Sequence, residues 1–348
     1  MKGSSAASYH VSCMTGSLII NVGCDGDGMN VYDAFRLAIE TGMSNDLRPR
    51  DEVQEILDEA RRTYDSLPED RKDLFDDERL WNPYADSRFS ACIEQAKETP
   101  AECMMWGIDI TSAEVLLADR LKEKGRNISC LVAHHPLGTA RTCFPEVMWI
   151  QTRMFADLGV PINVSEGLVR PRMDEVMRNV MGLNYNQAVD SAKLLGIPLC
   201  NIHSPADNMV QKYLTEKFDR TQPRKLRDLI DVLYTEPEFR EATRYNSPPK
   251  IMVGSPDSSC GRIACKMNGG TSAPKDIYQK LADAGVGTVV GMHFPDDHYI
   301  EARKANINLV VSGHMSSDSL GVNLICDVWE KEGIEILPCS GFTRYSRN

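Results

Sequence analysis

Residues 131–140 read LVAHHPLGTA: an apolar run, a histidine pair and a proline. Leu131, Val132 and Ala133 have the make-up of a short buried strand. Pro136 pushes the residue before it, His135, into an extended conformation. Neighbouring extended residues face opposite sides, so His134 and His135 are expected to diverge and to serve two different centres. The competing reading, an ordinary core or surface histidine at each position, stands until other ligands appear.

Outward from this stretch the pattern alternates. Met104–Asp109, Ser129–His134, Pro198–His203, Lys250–Gly254, Val286–Gly291, Ile307–Ser312 and Ile334–Pro338 read as strands. Helical spacing fills the gaps at Ser112–Lys124, Glu146–Leu158, Met173–Leu195, Asp207–Phe218, Pro274–Ala284 and Leu320–Lys331. Strand–helix alternation implies the α/β class: two α/β lobes with mainly parallel sheets flanked by helices. Upstream, VYDAFRLAIETG stops at Gly42 and PRDEVQEILDEARRTYDSL starts on a proline, so the N-terminal segment is helical. The polar stretch Glu236–Pro249 is the candidate link between the lobes. The expected organisation is a leader or disordered tail over 1–28, a helical segment over 29–100, a first lobe over 101–235 and a second over 236–348.

Composition narrows the classes of function. The 348 residues are enough for a real core, and no apolar run approaches a membrane span. A formal net charge of −11 argues against nucleic acid or an anionic membrane as partner. The 11 cysteines are scattered with no CxxC pair, the pattern of free thiols in a reducing cytoplasm.

Carboxylates and histidines collect at strand ends. Asp109 closes WGID, His203 precedes Asp207 in HSPAD, and His314 precedes Asp318 in GHMSSD. Ligands of open α/β sheets gather outside the carboxyl ends of the strands, where all these groups fall. Each has a plainer reading. Ser204 and Asp207 make a good helix start, with Ser204 as N-cap, and Asp318 can complement a helix dipole. The count tips the balance, because 4 of the 7 histidines (His134, His135, His203 and His314) occupy strand ends.

In their order and spacing, VAHHPLG, HSPADN and SGHMSSDSLG resemble the Nif-three-like dinuclear-metal family, which also carries the label type 2 GTP cyclohydrolase I. The resemblance runs from about Val31 to the C-terminus; GIDITSAEVLLADRL is similar to the family's strand–helix unit before HHP, and NPYADSR to an element upstream. It implies a metal site in the cleft between the lobes, with two divalent transition-metal ions (Zn, Mn, Fe or Co). His134 and His135 would lie on different ions, with Asp207 joining one and His314 the other. Asp318 stands where the family usually has a bridging glutamate, one methylene longer. At GMHFPDDH, Met292 departs from the family's Gly-Glu, and His293 and His298 are read as solvent-exposed. The resemblance also implies a homo-oligomer, a hexamer built from dimers.

Two such ions suit hydrolysis through an activated water. His203 and Asp318 are the candidate catalytic residues, His203 either as general acid/base or as a hydrogen-bond partner orienting Asp207. The glycine loop Asn268–Asp276 reads as an anion site or as an ordinary helix start, and Arg141, Arg170, Arg172 and Lys275 are available to an anionic substrate. Two functions follow: a metal-dependent hydrolase of a small molecule such as a nucleotide or heterocycle, or a metal-binding regulatory or scaffold protein.

Overall fold

The computed structural model describes residues 28–348, so the expected leader or tail lies, Gly28 apart, outside the described residues. The strands are β1 (Phe89–Ala91), β2 (Cys103–Gly107), β3 (Cys130–Ala133), β4 (Leu199–Asn201), β5 (Lys250–Val253), β6 (Arg262–Lys266), β7 (Val286–Gly291), β8 (Asn308–Val311) and β9 (Glu335–Cys339). They form a five-stranded sheet in the order β1-β4-β3-β2-β9 and a four-stranded sheet in the order β5-β8-β7-β6. Among the described strands only the edge strands β1 and β5 run antiparallel to their neighbours. The fold is therefore the expected one: mixed α/β, two mainly parallel sheets flanked by helices, and a helical N-terminal segment.

Parallel sheets survive when both faces are covered, and the cores show this strand by strand. In the first sheet Met104, Trp106 and Val132 enter one core while Met105, Leu131 and Ala133 enter another. In the second, Ala264, Val289 and Leu309 separate in the same way from Cys265, Val290 and Val310. The helix Val31–Ser44 belongs to the first of these cores, where Phe35 joins Trp106 and Trp329, and the Trp329 indole donates to the Ala34 carbonyl at 2.9 Å.

Several boundaries differ from the sequence reading. Strand β9 pairs in parallel with β2, so the last strand leaves the segment 236–348 and returns to the first sheet. The stretch Glu236–Pro249 is itself largely the helix Pro237–Arg244. Met173–Leu195 is two helices, Ile162–Val180 and Gln187–Leu195. The first of these runs through Pro171, which lies on the exposed side where water can satisfy the carbonyl it frees. Glu146–Leu158 divides into a 3-10 turn, Phe144–Trp149, and a helix, Ile150–Asp157.

The helices Ser204–Thr221 and His314–Lys331 position the site by crossing closely. A Cβ on Gly321 would lie 2.4 Å from the Ala206 carbonyl oxygen, so only glycine permits this approach. The crossing brings Asp207, next to Ala206, and Asp318, one turn before Gly321, to face each other across the ends of the two sheets.

Candidate metal centre

Strand β3 ends at Ala133, and both histidines lie in the bend that follows. The expected divergence therefore does not occur: the extended alternation has stopped, and the two rings sit 5.3 Å apart and converge on the carboxylate of Asp318. They face different atoms of it. His134 Nε2 lies 3.6 Å from Asp207 Oδ1 and 3.6 Å from Asp318 Oδ1. His135 Nε2 lies 3.5 Å from Asp318 Oδ2, and His314 Nε2 is 3.5 Å from that same oxygen. The two oxygens of Asp318 thus look toward two different sets of partners.

The other ring nitrogens are anchored. His134 Nδ1 donates to the Ile202 carbonyl at 3.1 Å, and His135 Nδ1 pairs with Asp109 Oδ1 at 2.8 Å. His203 Nδ1 pairs with Asp86 Oδ2 at 2.7 Å. Each bond favours the tautomer that leaves Nε2 free with its lone pair directed inward, the usual arrangement around metal-binding imidazoles.

Four atoms at the centre are buried with no hydrogen-bond partner among the described residues: His134 Nε2, Asp207 Oδ1 and both carboxylate oxygens of Asp318. Buried polar groups are nearly always satisfied, and an orphaned cluster of acceptors calls for a cation. Among the described residues three groups have the spacing to hold a metal ion: His134 with Asp207 and Asp318, His135 with His314 and Asp318, and His134 with His135 and His203. His203, which the sequence reading left outside the ligand set, is near enough to share in one of them.

Charge in the cluster is divided unevenly. Burial raises the Asp207 carboxyl well above its usual range; His134 opposes this and Asp318 adds to it. Asp318 is buried too, yet the histidines His134, His135 and His314 prevail and hold its carboxyl far below the ordinary value. Burial works against charge on His135, but Asp109 and Asp318 on its two sides raise it to about 10. His314 falls to about 4, mainly through burial. Two carboxyls in one desolvated site cannot both ionise without added positive charge. A divalent ion would supply that charge and displace the proton from His135.

The plainer readings of the two aspartates fare differently from their sequence form. His203, not Ser204, occupies the N-cap position of its helix and makes no side-chain cap, while the Ser204 hydroxyl donates to Asp86 at 2.7 Å. The other helix has no acid in its first turn, since Asp318 comes a residue too late. His293 is exposed as expected, with its ring 4.9 Å from that of His314. His298 is not exposed. It is buried, with its Nδ1 3.0 Å from the Tyr278 hydroxyl, because its helix turns that face onto the neighbouring one.

Asp86 was missed as a site residue. It lies in the acid-rich stretch DERLWNPYADSR, in a region whose charge runs read as solvated helix faces, yet it is fully buried and holds both His203 and Ser204.

A mixed α/β protein with a buried histidine–aspartate cluster at the ends of two parallel sheets is a candidate metal-binding protein. Among solved structures, a NIF3 superfamily protein from Sphaerobacter thermophilus matches with a TM-score of 0.68 and 25% identity, over 91% of this chain and 100% of that one. By its fold the chain is Nif3-like, as the motifs imply. A Bacillus cereus protein related to NIF3 matches over 92% of this chain and 98% of its own, at 9% identity and a TM-score of 0.43. Reduced HcgD from Methanocaldococcus jannaschii matches over 68% and 83%, at 15% and 0.41, and neither distant match carries further weight. No protein-family model and no curated protein matches the sequence. Among the described residues no helix is long and apolar enough to cross a membrane.

Proposed function

We propose that this protein is a dinuclear metal-dependent hydrolase of a small molecule. One ion would be held by His134, Asp207 and Asp318 and the other by His135, His314 and Asp318, with Asp318 as the bridge. The observation that carries the reading is the set of four buried acceptor atoms without partners, divided so that each oxygen of Asp318 faces its own histidines. Imidazole and carboxylate together suit Zn, Mn, Fe or Co. When bound, such a pair would supply an activated water and stabilise charge developing on an attacked carbon or phosphorus centre.

His203 is assigned proton transfer to or from the substrate, supported by its Nδ1 on Asp86 and by its place in the wall of the cavity beside the cluster. Its other role is to orient Asp207, whose Oδ2 is 3.9 Å from His203 Nε2. The resemblance supports a nucleotide or heterocycle as substrate and a homo-oligomer, a hexamer, as the assembled form; light scattering that finds a strict monomer would remove the second expectation. The scattered thiols support a cytoplasmic location.

Metal analysis of protein purified without added metal tests the centre. About two transition-metal ions per chain are expected, with His134→Ala and His314→Ala each losing one preferentially. Full metal content in both variants would sink the assignment. Metal-dependent turnover across a panel of phosphate esters and heterocycles tests the hydrolase. Retained metal with no turnover would favour the regulatory or scaffold function.

A further inference from the structure

Beside the cluster opens a cavity of about 60 Å³, room for a few water-sized groups. It is lined by the acids Asp207 and Asp318 and also by Lys266 and the turn from Gly270 to Ala273. Lys266 ends strand β6, and its ammonium donates to the carbonyls of Asn268 (3.2 Å) and Thr271 (2.9 Å). Both partners are neutral, so among the described residues one of its three N–H groups has no acceptor and its charge has no ion-pair partner. Burial accordingly pushes the amine down to about 8, against the pull of Asp207.

The turn next to it is built to leave donors free. Gly269 and Gly270 have φ of +92° and +74°, consecutive left-handed positions. The buried Gln151 side chain donates to the carbonyls of Gly269 (2.6 Å) and Thr271 (3.0 Å). Together Lys266 and Gln151 hold the turn by its carbonyl side. The N–H of Thr271 closes back on Gly269. Those of Gly270 and Ser272, residues that line the cavity, have no protein acceptor among the described residues. The two free N–H groups, on alternate residues of a glycine turn beside a cation, offer donors to an anion.

We infer that Lys266 and the Gly269–Ser272 turn form an oxyanion subsite, which holds the phosphate group of a small phosphorylated substrate against the metal cluster. The ammonium and two N–H groups provide three donors for the three terminal oxygens of a phosphate monoester. A cavity of about 60 Å³ suits a group of that size. This rests on the reading of the cluster as the reaction centre, although the subsite binds through groups outside the ligand set.

Inorganic phosphate is the probe. Titrated calorimetrically into the full chain, before and after chelator treatment, it should bind in both forms. Lys266→Gln should weaken binding roughly tenfold or more, with metal content unchanged. Equal affinity in Lys266→Gln, or binding that vanishes on chelation, would overturn the subsite. A measurement on the unsubstituted protein guards against a variant that fails to fold: phosphate should protect Lys266 from acetic anhydride, as read by mass spectrometry, and an unchanged labelling rate would count equally against the proposal. Should the protein purify without metal yet bind phosphate through Lys266, the subsite stands and the dinuclear reading falls.

Discussion

Two helices of this molecule begin with the same histidine–x3–aspartate spacing at the end of a sheet, and they make different things of it. In the first, His203 is the N-cap residue, with non-helical backbone angles, so its Nε2 stays 3.9 Å from Asp207. In the second, Gly313 is the N-cap and His314 already belongs to the helix, so the i,i+4 geometry closes its Nε2 to 3.5 Å from Asp318. His203 is 6% exposed and locked by Asp86, whereas 41% of the His314 side chain is exposed. The acids separate as well, since Asp207 is driven toward its neutral form and Asp318 toward its charged form. Identical spacing does not define a role; the surrounding elements do, by deciding which nitrogen is anchored and which acid is surrounded by imidazoles.

The sharpest way to break this comparison is Asp318→Asn. As the one acid facing both histidine sets, it should cost metal in both, and activity should fall by more than about 100-fold, beyond the loss usual for residues that only support ligands. The fold should persist, because the change removes a buried charge without altering size. A helix-dipole role would instead cost about 1 kcal/mol or less and leave the metal in place. Metal stoichiometry and thermal unfolding of this variant separate the outcomes.

Next in size is Asp86→Asn, which acts on the first helix start alone. Loss of the buried anchor of His203 should lower activity about 10- to 100-fold while His135 and His314 keep their metal. Equal loss of metal from both sets would show that the two helix starts are not separable.

The contrast also explains what could be read from sequence. Strands β2, β3, β4, β5, β7, β8 and β9 are covered, wholly or in part, on one or both faces and appear as apolar runs. Strand β1 spans three residues at an antiparallel edge, and β6 is bounded by Arg262 and Lys266, so neither leaves a run long enough to see. The six nominated residues His134, His135, His203, Asp207, His314 and Asp318 come together because each follows a strand end. Asp86 and Lys266 escaped notice for a common reason. A carboxylate in an acid-rich segment and a lysine at a strand terminus both look solvated; in the fold Asp86 is buried against His203 and Ser204, and Lys266 is half-buried against the turn that follows β6. The histidine pair shows the opposite error: alternation holds only while a strand lasts, and this strand ended one residue too soon.

Asp109→Asn should have the smallest effect, and it tests whether burial of the anchor sets the scale. Asp109 pairs with His135 as Asp86 pairs with His203, at nearly the same distance, 2.8 against 2.7 Å. The Asp109 side chain, however, is 61% exposed, while that of Asp86 is 0% exposed. Water screens the first pair and competes for both of its atoms, so its charge should contribute little. Asparagine keeps an oxygen that can accept from Nδ1, and the tautomer of His135 should be retained. Metal affinity is therefore expected to fall only a few-fold, by less than the change from Asp86→Asn. Competition with a metal-chelating dye, run on both variants side by side, measures the difference. Equal losses would mean that the partner of each imidazole, and not its burial, governs how firmly the nitrogen is aimed.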